Sequence, residues 1–154
     1  MSDPYDDRRA REGVQQSENS PSIVDSSENL LRAMFTPDHI DNKGHLKEQA
    51  IPSQDLSERG FSVQREQYTN DTLNQKIVSG WLNNKPEREF IKLGKISCLH
   101  TRNINDQQNN QAFVVLDDAI EENPAHAIIL TAEKYGKGAL KKLRHELIEA
   151  FNQD

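Results

Sequence analysis

The chain has 154 residues, with 29% charged and 34% hydrophobic side chains and a formal net charge of -6; its mean hydropathy is -0.87. A length of ~150 residues argues for one domain, and the acidic balance argues against a dominant grip on nucleic-acid phosphates. Aromatic residues at 6% and a single cysteine, Cys98, exclude an aromatic base-stacking platform, a disulfide framework and an all-cysteine zinc site.

Residues 1–28 carry only Val14, Ile23 and Val24 as aliphatics among Asp, Glu, Arg, Gln, Ser, Asn and Pro. Such a composition buries too little apolar area to offset its ordering entropy, so a disordered, solvated tail is expected there, with an α+β domain over 29–154. No apolar stretch follows the early basic residues, and no apolar run approaches the ~18 residues that cross a bilayer. The expectation is a cytoplasmic chain with no membrane segment and a reduced thiol.

Order begins at the apolar run 30–35, broken only by Arg32, as a strand or short helix closed before Pro37. Residues 61–65 alternate after Gly60 and predict a half-buried strand with Phe61, Val63 and Arg65 on one face and Ser62 and Gln64 on the other. Residues 69–71 supply helix N-caps, and Leu73, Ile77 and Trp81, with Val78 and Leu82, make an amphipathic stripe. Residues 90–102 read as one strand bent at Gly94, 112–116 as a central apolar strand, and 126–131 as a third. A helix over about 139–152 carries Leu140, Leu143, Leu147, Ile148 and Phe151 on one side. The order strand, strand, helix, strand, strand, strand, helix predicts a small single domain of the α+β class. Its sheet is antiparallel or mixed, with helices packed on one face.

His100 and His126 fall on expected strands, each able to enter a cleft or the core. His126 opens a strand just after a loop bearing Asp117, Asp118, Glu121 and Glu122, where a carboxylate could orient its ring. Arg32, Arg65 and Arg102 stand within or at the ends of expected strands. A cation there is costly unless paired or facing an anionic ligand. Cys98 reads as a small buried residue. No His-Glu-x-x-His, Cys-x-x-Cys, EF-hand, phosphate-loop or nucleophile-elbow motif occurs, and no metal or cofactor is expected. The basic residues 134–144 read as a solvated helix face, so nucleic-acid binding is disfavoured.

Gly60-Phe61-Ser62-Val63-Gln64-Arg65, Asn123-Pro124-Ala125-His126-Ala127-Ile128, and Leu31-Arg32 leading to Thr36-Pro37-Asp38-His39 together resemble a family of small bacterial proteins with no established activity. The resemblance spans about residues 30–132 and implies a bacterial setting but no reaction. A fainter likeness is to NAD-consuming toxin and ADP-ribosyltransferase folds. There Arg32 and Ser62 would match the strand-borne Arg and Ser, with no Glu on a later strand to complete the set.

Two functions are carried forward. One is a binding or accessory subunit that works with a protein partner through its tail. The other is an enzyme acting on a nucleotide-like or phosphorylated substrate. In that reading Arg32, Arg65 and Arg102 supply substrate-binding positions, and Ser62, His100 and His126 are the catalytic candidates. It expects Arg65 and His126 at one surface, with His126 as acid/base.

Overall fold

The computed structural model describes residues 4–153. Its elements are α1 (Pro4–Arg11), β1 (Asn29–Thr36), β2 (Phe61–Arg65), α2 (Asp71–Asn84), β3 (Glu89–Ser97), α3 (Cys98–Arg102), β4 (Phe113–Asp117), β5 (His126–Thr131) and α4 (Lys137–Gln153). A 3-10 turn at Glu48–Ala50 and a π-helical turn at Asp55–Arg59 lie between β1 and β2. The strands form one five-stranded sheet in the order β3-β1-β2-β5-β4, antiparallel at every joint. This is the expected α+β domain, with the antiparallel alternative realised.

Alternation along the strands sorts the two faces. Leu30, Met34, Phe61, Val63, Ile96, Phe113, Val115, Ala127 and Ile129 point to one face. There they join Leu143, Leu147, Ile148 and Phe151 of α4 and Cys98 of α3 in the main core. Gly94 serves this contact: a Cβ there would meet Met34 Cε at 2.9 Å and Phe151 Cδ1 at 3.4 Å. Val114, Leu116, Ile128 and Leu130 form a smaller cluster on the opposite face. α2 rests on that second face against β1 and β3, so the helices are not confined to one face as expected, because the Leu31 and Ala33 side of the sheet also needs cover; none of its residues is fully buried. Its start is fixed by Asn70, whose side chain accepts from Leu73 N at 2.9 Å.

Residues 90–102 do not form one strand. β3 stops at Ser97, whose hydroxyl caps the short helix α3 by accepting from His100 N at 2.9 Å. His100 and Arg102 therefore stand on a helix. The turn exists because Cys98 N and Leu99 N donate out of the sheet, to Glu28 O and Ser26 O.

The segment expected as a solvated tail is laid along the domain from Pro4 to Glu28, its first three residues lying outside the described range. Polar contacts rather than apolar area hold it. Glu12 accepts from Arg102 Nε at 2.9 Å and from Val115 N at 2.8 Å, along the outer edge of β4. Arg8 donates to Ser57 O at 2.6 Å and Thr131 O at 3.0 Å, and Gln16 N donates to Asp117 Oδ2 at 3.1 Å. Val24 enters the core at 2% exposure. Among the described residues no helix is long and apolar enough to cross a membrane.

Candidate functional site

The sheet has a seam between β1 and β2. Their ladder holds two residue pairs, Leu30 with Arg65 and Leu31 with Gln64. Beyond these, β1 runs on beside β3 while β2 turns to β5. Arg32 occupies the seam. Its Nη1 donates to Ser62 O at 2.8 Å, a side-chain bond where a ladder bond would otherwise stand. Its guanidinium carbon lies 4.4 Å from the Phe61 ring centre on one side of the sheet and 4.9 Å from the Trp81 ring centre on the other.

Arg32 is 9% exposed, its buried Nε–H has no hydrogen-bond partner, and no carboxylate pairs with it among the described residues. Burial pulls its pKa down to about 10, and Asp55 pushes the other way from a distance. The group remains a cation at neutral pH. A buried, unpaired charge is costly, and such charges are retained chiefly where a ligand or a switch uses them.

Arg32 opens on a cavity of about 480 Å³ on the second face of the sheet. Leu31 and Ala33 of β1, Ser62 and Gln64 of β2, and His126 of β5 form its floor. Ile77 and Trp81 of α2 form an apolar wall, and Asp55, Arg59 and Asn123 stand at its edge. Asp55 and Arg59 are paired at 3.1 Å. Gly60, at φ +90°, brings β2 close to β5: a Cβ there would lie 2.9 Å from Ile128 Cβ. Gln64 and Asn123 hold each other through reciprocal amide bonds of 2.9 and 2.8 Å.

His126 Nδ1 lies 3.0 Å from Asp118 O and 3.0 Å from Asp118 Oδ2. Two acceptors at one nitrogen place the ring proton on Nδ1 and leave Nε2 with its lone pair. The carboxylate expected to orient this ring is thus Asp118.

Beneath the site, Trp81 stacks on Phe35 at 5.6 Å and meets the edge of His39 at 5.2 Å. His39 Nδ1 accepts from Phe35 N at 3.2 Å. Burial, then the charges of Arg32 and Arg88, lower the His39 pKa to about 4, so this imidazole stays neutral. Arg88 covers Trp81 at 4.8 Å and pairs with Asp38 at 2.8 Å.

The other candidates lie elsewhere. Arg65 does not share a surface with His126. It points into the main core at 0% exposure. Its Nε and Nη2 donate to Glu28 at 2.8 and 2.6 Å, and Nη1 donates to Ser22 O at 2.8 Å. Those bonds use the fork that a substrate would need. Arg102 is spent on Glu12, Ser26 Oγ and Val24 O. His100 stands on α3 on the far face.

Comparisons with protein-family models, with curated proteins and with solved structures found no match.

Of the candidate residues, Arg32, Ser62 and His126 line one cavity. Three contributors escaped the sequence reading in their roles. Trp81 read only as part of a helix stripe, Asp118 as one of four acids in a loop, and Asp55 carried no signal. The arrangement can take an anion beside Arg32 and exchange a proton through His126 Nε2.

Proposed function

We propose that the protein binds a small nucleotide-like or phosphorylated ligand in the cleft between the sheet and α2. Arg32 anchors the anion and His126 acts as acid/base. The observation that carries this reading is the unpaired guanidinium of Arg32, nine-tenths buried and opening on a cavity. An arriving phosphate supplies the missing counter-charge, and the Leu31, Ala33, Ile77 and Trp81 surface takes the apolar part of the ligand. The lone buried Cys98 fits a cytoplasmic setting.

The test is thermal unfolding with inorganic phosphate, AMP and NAD. A ligand at about 100 times its Kd raises stability by about 2.7 kcal/mol, which is about 5–10 °C in a chain of this size. The shift is expected in the native protein and lost in Arg32→Met. No shift with any of the three would reject the reading.

A second reading, an accessory subunit working through a protein partner, draws on Phe90 and Ile91. These stand 37% and 44% exposed on edge strand β3. It requires that Phe90→Ser with Ile91→Lys abolish co-purification of a partner from native lysate.

A further inference from the structure

We infer that the cleft is a phosphodiester-transfer site in which Ser62 Oγ is the nucleophile, His126 Nε2 its base and Asp118 the residue that positions the imidazole. The inference rests on the anion-binding reading above and adds a reaction to it.

The sheet register sets the geometry. On the β2–β5 ladder Ser62 stands opposite Ile128, and Gln64 opposite His126. Ser62 and His126 are therefore diagonal neighbours on one face, a pairing of about 7 Å between Cα atoms that a long side chain spans. Both line the same cavity. Asp118 lies on the other side of β5, where its N–H donates to His126 O at 2.9 Å. With Nδ1 held by Asp118, Nε2 is the ring nitrogen left to take a proton from Ser62, which lines the same cavity from β2. A base whose tautomer is fixed by a carboxylate and whose free nitrogen faces a hydroxyl is the arrangement that activates serine.

Arg32 completes it. Its Nη1 bond to Ser62 O holds the guanidinium beside the residue that attacks, where negative charge grows in the transition state. Charge balance selects the substrate. Arg59 is neutralised by Asp55, so Arg32 is the unpaired cation of the cleft among the described residues. One positive charge neutralises a singly charged diester, whereas a doubly charged monoester would leave one negative charge uncompensated against the half-buried cleft.

In the first step Ser62 Oγ bonds to phosphorus, its proton passes to His126 Nε2, and the bond from phosphorus to the leaving oxygen breaks. The imidazolium returns the proton to that oxygen. In the second step water gives a proton to His126 and its oxygen attacks phosphorus. The Ser62–phosphorus bond breaks, and the proton returns to Ser62.

The experiment uses the full chain with bis(p-nitrophenyl) phosphate as diester and p-nitrophenyl phosphate as monoester, following release of p-nitrophenolate. The native protein is expected to cleave the diester at least about tenfold faster than the monoester, with a mass adduct on Ser62 in quenched samples. Ser62→Ala and His126→Gln are expected to lose about a hundredfold or more in rate while keeping the phosphate-induced rise in Tm. Asp118→Asn is expected to lower kcat and leave KM unchanged, which a merely structural role would not do. Diester cleavage undiminished in Ser62→Ala, or no cleavage by native protein, overturns the transfer step. Faster monoester cleavage overturns the substrate assignment. If phosphate still stabilises the native protein and not Arg32→Met, the anion site stands while the reaction falls. If phosphate, AMP and NAD each stabilise both proteins alike or neither, the anion reading falls as well.

Discussion

Replacing Arg32 by methionine separates the cost of a buried charge from its use. Methionine keeps an unbranched stem between Phe61 and Trp81 and deletes the guanidinium. Holding the Arg32 pKa at about 10 corresponds to about 3 kcal/mol disfavouring the cation in the folded chain. Against this stand a charge-assisted bond to Ser62 O, about 1.5–3 kcal/mol, and two ring contacts of about 0.5–2 kcal/mol each. The apolar stem of methionine recovers part of the latter. The opposing terms nearly cancel, so Arg32→Met is expected to change unfolding free energy by no more than about 2 kcal/mol in either direction. Binding has no such cancellation. An anion about 4 Å from the cation gains about 4 kcal/mol at an effective dielectric constant of about 20, and salt at the open mouth of the cleft trims this. Affinity for phosphate is expected to fall by about two to three powers of ten. Urea unfolding and calorimetric phosphate titration read the two quantities on the same samples. A variant that loses more than about 4 kcal/mol of stability while binding phosphate normally would refute the reasoning, because Arg32 would then be a structural strut.

Glu28→Gln leaves the Arg65 guanidinium buried without its counter-charge, and is expected to cost about 3–5 kcal/mol in urea unfolding with phosphate binding intact. A loss below about 1 kcal/mol would contradict the assignment of Arg65 to the core. His39 gives a pH signature. The unfolded chain takes up its proton near about 6.5, whereas folded His39 resists until about 4. Its contribution is therefore present above about 6.5 and lost as pH falls toward about 4, by about 2–3 kcal/mol in all. His39→Gln, which keeps an acceptor for Phe35 N, is expected to flatten the stability profile in that window alone, and parallel profiles would reject it. Deleting residues 1–16 removes the bonds of Glu12 to Arg102 and Val115 and of Arg8 to Ser57. The Tm is expected to fall by more than about 5 °C, and an unchanged Tm would return the segment to a solvated tail.

Much of the sheet was legible because its strands are continuous or alternating apolar runs. Residues 61–65, 112–116 and 126–131 fall within a residue of β2, β4 and β5. The misreading of 90–102 has a local cause. Ser97 looks like another strand residue until its hydroxyl finds His100 N, and apolar pattern does not report a cap. Alternation puts Arg65 on the face of Phe61 and Val63, and that face is the core. What stayed hidden was Glu28, the distant partner that lets a cation enter it. The same holds for residues 4–28, whose attachments run to Ser57, Arg102, Val115 and Thr131. Polar contacts over such sequence separations leave no periodicity to read. Arg32, Ser62 and His126 were visible as residue types, but their meeting depended on β2 lying between β1 and β5.

The seam at Arg32 also bears on how the domain breathes. β3 and β1 form one panel of the sheet, and β2, β5 and β4 another, with a joint of two ladder pairs, the Arg32 side chain and the bonds between Glu66 and Asn29. Hydrogen exchange in such a sheet concentrates at its weakest joint, so amides bordering the gap should trade deuterium before those inside either panel. An anion seated on the guanidinium would stiffen the hinge between them.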